Sequence, residues 1–77
     1  MSKLIHARSP EIDKYIGLMF AAIEYADNAE DADEARRLIG ELASVGLTDK
    51  NIVAVSRVLI KLSRKLRSIL WPEDADG

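Results

Sequence analysis

Residues 48–71 read TDKNIVAVSRVLIKLSRKLRSILW, and this stretch decides the fold. Its apolar residues fall at Ile52, Val55, Leu59, Leu62, Leu66 and Ile69, a 3-4 alternation without a miss. That spacing holds them on one side of an α-helix as a continuous seam. Thr48 reads as the N-cap. Leu47 before it and Ile52 at the fourth helical position are placed for a hydrophobic staple. Pro72 sets a boundary near Trp71, because a proline drives the residue before it out of the helical region. The pattern predicts a helix over about 49–71, roughly 33 Å long at 1.5 Å per residue.

Upstream, Gly46 suits the left-handed backbone at the end of a preceding helix. That helix is expected over about 32–45, with Ala35, Leu38, Ile39, Leu42 and Val45 on its buried face. Asp31 or Asp33 starts it, and Asp31 with Glu34 has capping-box spacing. A first helix is expected over about 10–27. Ser9 is its N-cap, Pro10 occupies the first helical position, and Glu11 and Asp13 favour the positive end of the helix dipole. Its stripe is Ile12, Ile16, Met19, Phe20 and Ile23, widened by Tyr15, Leu18, Ala22 and Tyr25. Gly17 and Gly40 fall inside helices at about 1 kcal/mol each relative to alanine, and close helix approach is the expected reason.

The fold class is all-α, a compact three-helix bundle with a long C-terminal helix. With 77 residues and 8.5 kDa the chain has room for one domain, over residues 9–71. Residues 1–8 are expected to form a flexible arm carrying Leu4 and Ile5, and residues 72–77 a disordered acidic tail.

Composition removes most chemistry. There is no cysteine, hence no disulfide, thiolate ligand or cysteine nucleophile, and the one histidine, His6, cannot build a metal site alone. The serines have only His6 as a base. Asp27, Asp31 and Asp33 echo an EF-hand loop, but Ala29, Ala32 and Leu38 occupy positions where the motif needs a ligand, a glycine and a glutamate. The glycines are scattered rather than gathered into a phosphate loop. No catalytic residue, metal ligand or cofactor is expected, and neither is an enzyme. No apolar run approaches the roughly 20 residues that span a bilayer, and no signal-peptide core is visible. A cytoplasmic setting without membrane contact is expected.

Charge is lopsided. Glu11 to Glu34 holds eight acids and one base, net -7, whereas Lys50 to Trp71 holds six bases and no acid, net +6. Either the two halves pair internally or the chain presents two oppositely charged faces. The acidic surface would comprise Glu24, Asp27, Glu30, Asp31, Asp33 and Glu34. The basic ridge, Arg57, Lys61, Arg64, Lys65 and Arg67, has no aromatic interleaved for stacking on single strands.

Two features of the third helix suggest an interface with another protein. Helix two is too short to cover Leu62, Leu66, Ile69, Leu70 and Trp71, which leaves helix one, the arm or another chain to do so. A homodimer is the expected remedy for so small a core. Val53 and Ile60 lie seven apart, well off the main seam, beside Arg57, Arg64 and Arg67. They mark either a helix gripped on two sides or an apolar patch with a basic rim.

Residues 46–55, GLTDKNIVAV, resemble the second half of a helix-turn-helix as found in lac-type repressors. Gly46 matches the turn glycine, Leu47 the apolar turn position, Thr48 the recognition-helix cap, and Ile52 and Val55 its buried positions. The resemblance covers roughly 20 residues. It implies base contacts from Lys50, Asn51 and Ala54 and a phosphate contact from Arg57, with Thr48, Lys61 and Arg64 completing the nucleic-acid face. The chain departs from the pattern at Leu42, where that family prefers a small residue. Its third helix is also about twice the usual length, and Asp49 would face the phosphates. The leading expectation is therefore a small non-enzymatic interaction module that regulates or inhibits a protein partner by occupying its surface, of the size and composition that phages and mobile elements encode. The alternative is a helix-turn-helix DNA-binding transcriptional regulator.

Overall fold

The computed structural model describes residues 3–72 and is an all-α bundle of three helices. Helix α1 spans Pro10–Glu24, α2 Ala29–Val45 and α3 Ile52–Leu70. Two short strands, β1 (Lys3–Ile5) and β2 (Leu47–Thr48), pair antiparallel, Lys3 opposite Thr48 and Ile5 opposite Leu47, with an irregular register between them. The bundle is 21 and 19 Å across its short axes. That is about two helix diameters, so the core is a single layer.

Periodicity places most of that layer. Ile12, Met19 and Ala22 of α1, Ala35, Leu38 and Leu42 of α2, and Val55, Val58 and Leu62 of α3 are buried, with Leu47 beside them. On α3 the buried line is centred on Val55, Val58 and Leu62, while Ile52, Leu59 and Leu66 sit half-buried on its edge. Phe20 departs from expectation: it is 58% exposed. It shares its side of α1 with Asp13, Gly17 and Glu24, three and four or seven residues away, and all three are exposed as well.

The helix ends differ from the sequence reading at three places. Tyr25 already terminates α1. Asn28 is the N-cap of α2, its side chain accepting from the Asp31 N–H at 2.8 Å, so α2 begins about one turn earlier than the Asp31–Glu34 spacing suggested. Thr48 is not the cap of α3. Its hydroxyl accepts from the Lys50 and Asn51 N–H groups in a turn that precedes the helix, and Asn51 holds the N-cap position.

Lys3–Ile5, within the segment expected as an arm, form a strand. Ile5 packs against the core and β1 lies over the α2–α3 joint. Gly46 permits this. It has φ 78° and ψ -165°, a region open essentially to glycine, and the Ile5 carbonyl passes over its Cα. No such approach explains Gly17 or Gly40, whose surroundings are open. The expected acidic tail over 73–77 lies outside the described residues.

Candidate protein-binding face

The charged halves meet each other. Lys65 Nζ lies 2.6 Å from Asp27 Oδ1, Lys61 Nζ 2.9 Å from Asp31 Oδ1, and Arg57 Nη1 3.8 Å from Glu34 Oε2. Residue numbers fall on α3 as they rise along 27, 31 and 34, so α2 and α3 run antiparallel along this ladder. Asp33 pairs with Arg36 at 2.7 Å, and Glu34 also lies 4.0 Å from Arg37. Of the expected acidic surface, Asp27, Asp31, Asp33 and Glu34 therefore have basic partners, while Glu24 and Glu30 stand exposed on the α1 end and the first turn of α2.

The hydrogen bond from Lys61 to Asp31, with the attraction of that carboxylate, raises the Lys61 ammonium above its ordinary 10.5. A raised folded value contributes stability below the unfolded value and loses it as pH climbs through the folded one. We expect Asp31→Asn to return the Lys61 titration toward 10.5, as read by heteronuclear NMR at Nζ. The ladder is solvent-exposed, so Asp31→Asn should shift overall stability little.

Among the described residues the opposite side of α3 has no neighbour. Val53 is 63% exposed and Ile60 54%. At about 100° per residue both point directly away from the Val55–Val58–Leu62 line. Trp71, 58% exposed, follows the last turn of α3 as its C-cap. The sequence left two readings of the Val53–Ile60 pair, and the geometry is that of an apolar patch with a basic rim of Arg57, Arg64 and Arg67. Burying large apolar side chains on a helix contributes roughly 1.5–3 kcal/mol each, which this face forgoes.

The remaining predicted interface residues divide. Leu62 is core, 5% exposed, because it shares the buried line of α3. Leu66 is half-buried against the core. Ile69 and Leu70 are 51% and 64% exposed, since the final turn of α3 runs past the Asp27–Lys65 pair that marks the start of α2. The β1 segment cannot cover them, because it lies at the other end of the bundle on β2. Leu18 of α1 reaches α3 and shares a shallow groove with Leu59, Leu66, Arg67 and Trp71.

The nucleic-acid set is broken up. Asn51 is 4% exposed. Its Nδ2 donates to the Gly46 carbonyl at 2.9 Å, and its Oδ1 accepts from the Thr48 N–H at 2.9 Å, so no edge is left for a base. Thr48 is occupied in the same turn. Arg57 and Lys61 face Glu34 and Asp31. Lys50 and Arg64 are exposed, one in the turn before α3 and the other in its second half. Among the described residues no three of His, Asp or Glu gather closely enough to hold a metal ion, and no helix is long and apolar enough to cross a membrane.

The exposure of Phe20 was missed by the sequence reading, although its acidic and glycine neighbours on the wheel carried the signal. Compared with protein families, curated proteins and solved structures, the chain matches none.

Proposed function

We propose that the protein is a non-enzymatic interaction module whose working surface is the outer face of α3, and that it regulates or inhibits a protein partner by covering part of that partner's surface. One observation carries this reading: Val53 and Ile60 stand more than half exposed on the side of α3 facing away from its own core, inside a rim of arginines. An apolar centre with a polar, charged rim is the anatomy of a protein-binding surface. The DNA-binding alternative is less well supported, because the turn that would present a recognition helix is covered by β1 and Asn51 is consumed inside it.

The test is site-specific photo-crosslinking in cells that produce the protein. A photoreactive residue at Val53 or Ile60 should give a discrete protein adduct. The same residue at Ala43 or Ser44, exposed on α2, should not. Adducts that do not depend on position sink the proposal. An adduct with nucleic acid at Ile60 hands the face to the DNA-binding reading.

A further inference from the structure

The exposed face of α3 is more regular than a random patch. Val53, Ser56 and Arg57 are followed seven residues later by Ile60, Ser63 and Arg64, and then by Arg67. Positions i, i+3, i+4 and i+7 of a helix bound the hole into which a neighbouring helix inserts one side chain. Val53, Ser56, Arg57 and Ile60 are such a set, and Ile60, Ser63, Arg64 and Arg67 are the next. Both are hollows on the surface. One is lined by Val53, Ser56, Arg57 and Ile60 with their neighbours, the other by Ile60, Ser63, Arg64 and Arg67 with Leu59. The serines keep the hollows open, where larger side chains would fill them.

The two edges of this face differ. Along one run Arg57 and Arg64. Along the other run Ile52, Leu59 and Leu66, half-buried and continuous with the groove beneath Leu18 and Trp71. We infer that this face is the seat of a fourth helix supplied by a partner protein, with apolar side chains at heptad spacing along its centre and acidic side chains along the edge that meets Arg57 and Arg64. The inference rests on the interaction-module reading and names the chemistry of the partner.

Charge selects this occupant over others. Lys50 to Trp71 contains six bases and no acid. Arg57 has only a long contact of 3.8 Å to Glu34, and among the described residues no acid lies within ion-pair distance of Arg64 or Arg67. Acids on the partner would complete these pairs and reject basic helices. A second copy is a poor fit. Packed antiparallel about Ile60, Arg57 of one copy would oppose Arg64 of the other; packed parallel, Arg67 would oppose Arg67. A nucleic acid fits poorly too, because its phosphates need bases at the centre of the face and find Val53 and Ile60 there. One helix on such a face makes an interface near the low end of the specific range, about 1,200 Å² in total.

The experiment uses the full chain and two synthetic peptides of about three heptads, both with leucine at the seam positions, one with glutamate and the other with lysine on the flanks. Binding is read by fluorescence anisotropy, alongside sedimentation of the protein alone and with a mixed-sequence DNA duplex. The glutamate peptide should bind, more weakly as salt rises. Ile60→Glu and Arg64→Glu should each weaken it at least about tenfold. Arg64→Glu should in turn gain affinity for the lysine peptide, a swap that mere loss of structure cannot produce. Thermal unfolding of both variants should match the parent, since both side chains are in solvent. Equal binding of the two peptides, or of neither, overturns the inference. So does a duplex complex, or self-association abolished by Ile60→Glu. Crosslinking at Val53 to a partner helix without acids would keep the interaction face and discard its charge selectivity; absence of any positional crosslink would remove both.

Discussion

Gly46→Ala is expected to lower stability by about 2–3 kcal/mol and to detach β1 from β2. Two independent obstacles act at this residue. Its φ of 78° with ψ near -165° is a backbone state that side-chain-bearing residues avoid. A Cβ placed there would also lie 2.1 Å from the Ile5 carbonyl oxygen and 2.8 Å from the Ala7 nitrogen. Both are backbone atoms, so no rotamer change relieves the overlap. Either β1 lifts away or the end of α2 unwinds. In a domain of this size the loss corresponds to roughly 10 °C or more in Tm. Denaturant unfolding gives the free energy, and hydrogen exchange at the Ile5 and Leu47 amides tells whether the ribbon has opened. Gly17→Ala and Gly40→Ala are the controls. An added Cβ meets nothing within 4 Å at either site. These helix-interior changes should stabilise by up to about 1 kcal/mol. A Gly46→Ala protein as stable as the parent, with β1 amides still protected, would show that the joint does not depend on the glycine.

Periodicity alone was enough for what local repetition encodes. Val55 and Leu62 of α3, Ala35–Leu38–Leu42 of α2 and Ile12–Met19 of α1 all emerged from spacing, and with them the bundle; Val58, buried between Val55 and Leu62, lies off the expected α3 seam, and Ile69 at its end is exposed. What spacing does not encode is a partner distant in sequence. β1 and β2 are three and two residues long and meet across the whole of α1 and α2. Neither carries an alternation long enough to signal a strand. Asn28 directly follows the expected end of α1, and an asparagine can stand at either end of a helix; the Asp31 N–H bound to its side chain makes it the N-cap of α2. The charge asymmetry was plain, yet its meaning depended on α2 and α3 running antiparallel with 27, 31 and 34 set against 65, 61 and 57. The Val53–Ile60 pair needed the same knowledge. Its exposure follows once α1 and α2 both pack on the far side of α3, which no property of α3 itself dictates.

Asn51 carries the second large effect, and it separates a structural residue from a DNA-reading one. Asn51→Ala should cost about 2–3 kcal/mol, because the Thr48 N–H and the Gly46 carbonyl both lose their partner in a site with little access to water. Asn51→Asp is the sharper probe. It keeps the oxygen that accepts from Thr48 but replaces the donor to Gly46 with a second acceptor. Burial and the facing carbonyl then raise the carboxyl's folded pKa above its unfolded value near 4. The variant should therefore be closest to parental stability at acid pH, where the protonated group can donate to Gly46, and lose stability as pH rises through that folded value. Chemical unfolding at a series of pH values reads this directly against the parent. A residue facing base edges would behave in the opposite manner: both variants would fold as the parent does at neutral pH and lose only affinity for a DNA duplex. Parental stability of Asn51→Asp at pH 7 would return Asn51 to the surface of the protein and restore the recognition-helix reading of α3.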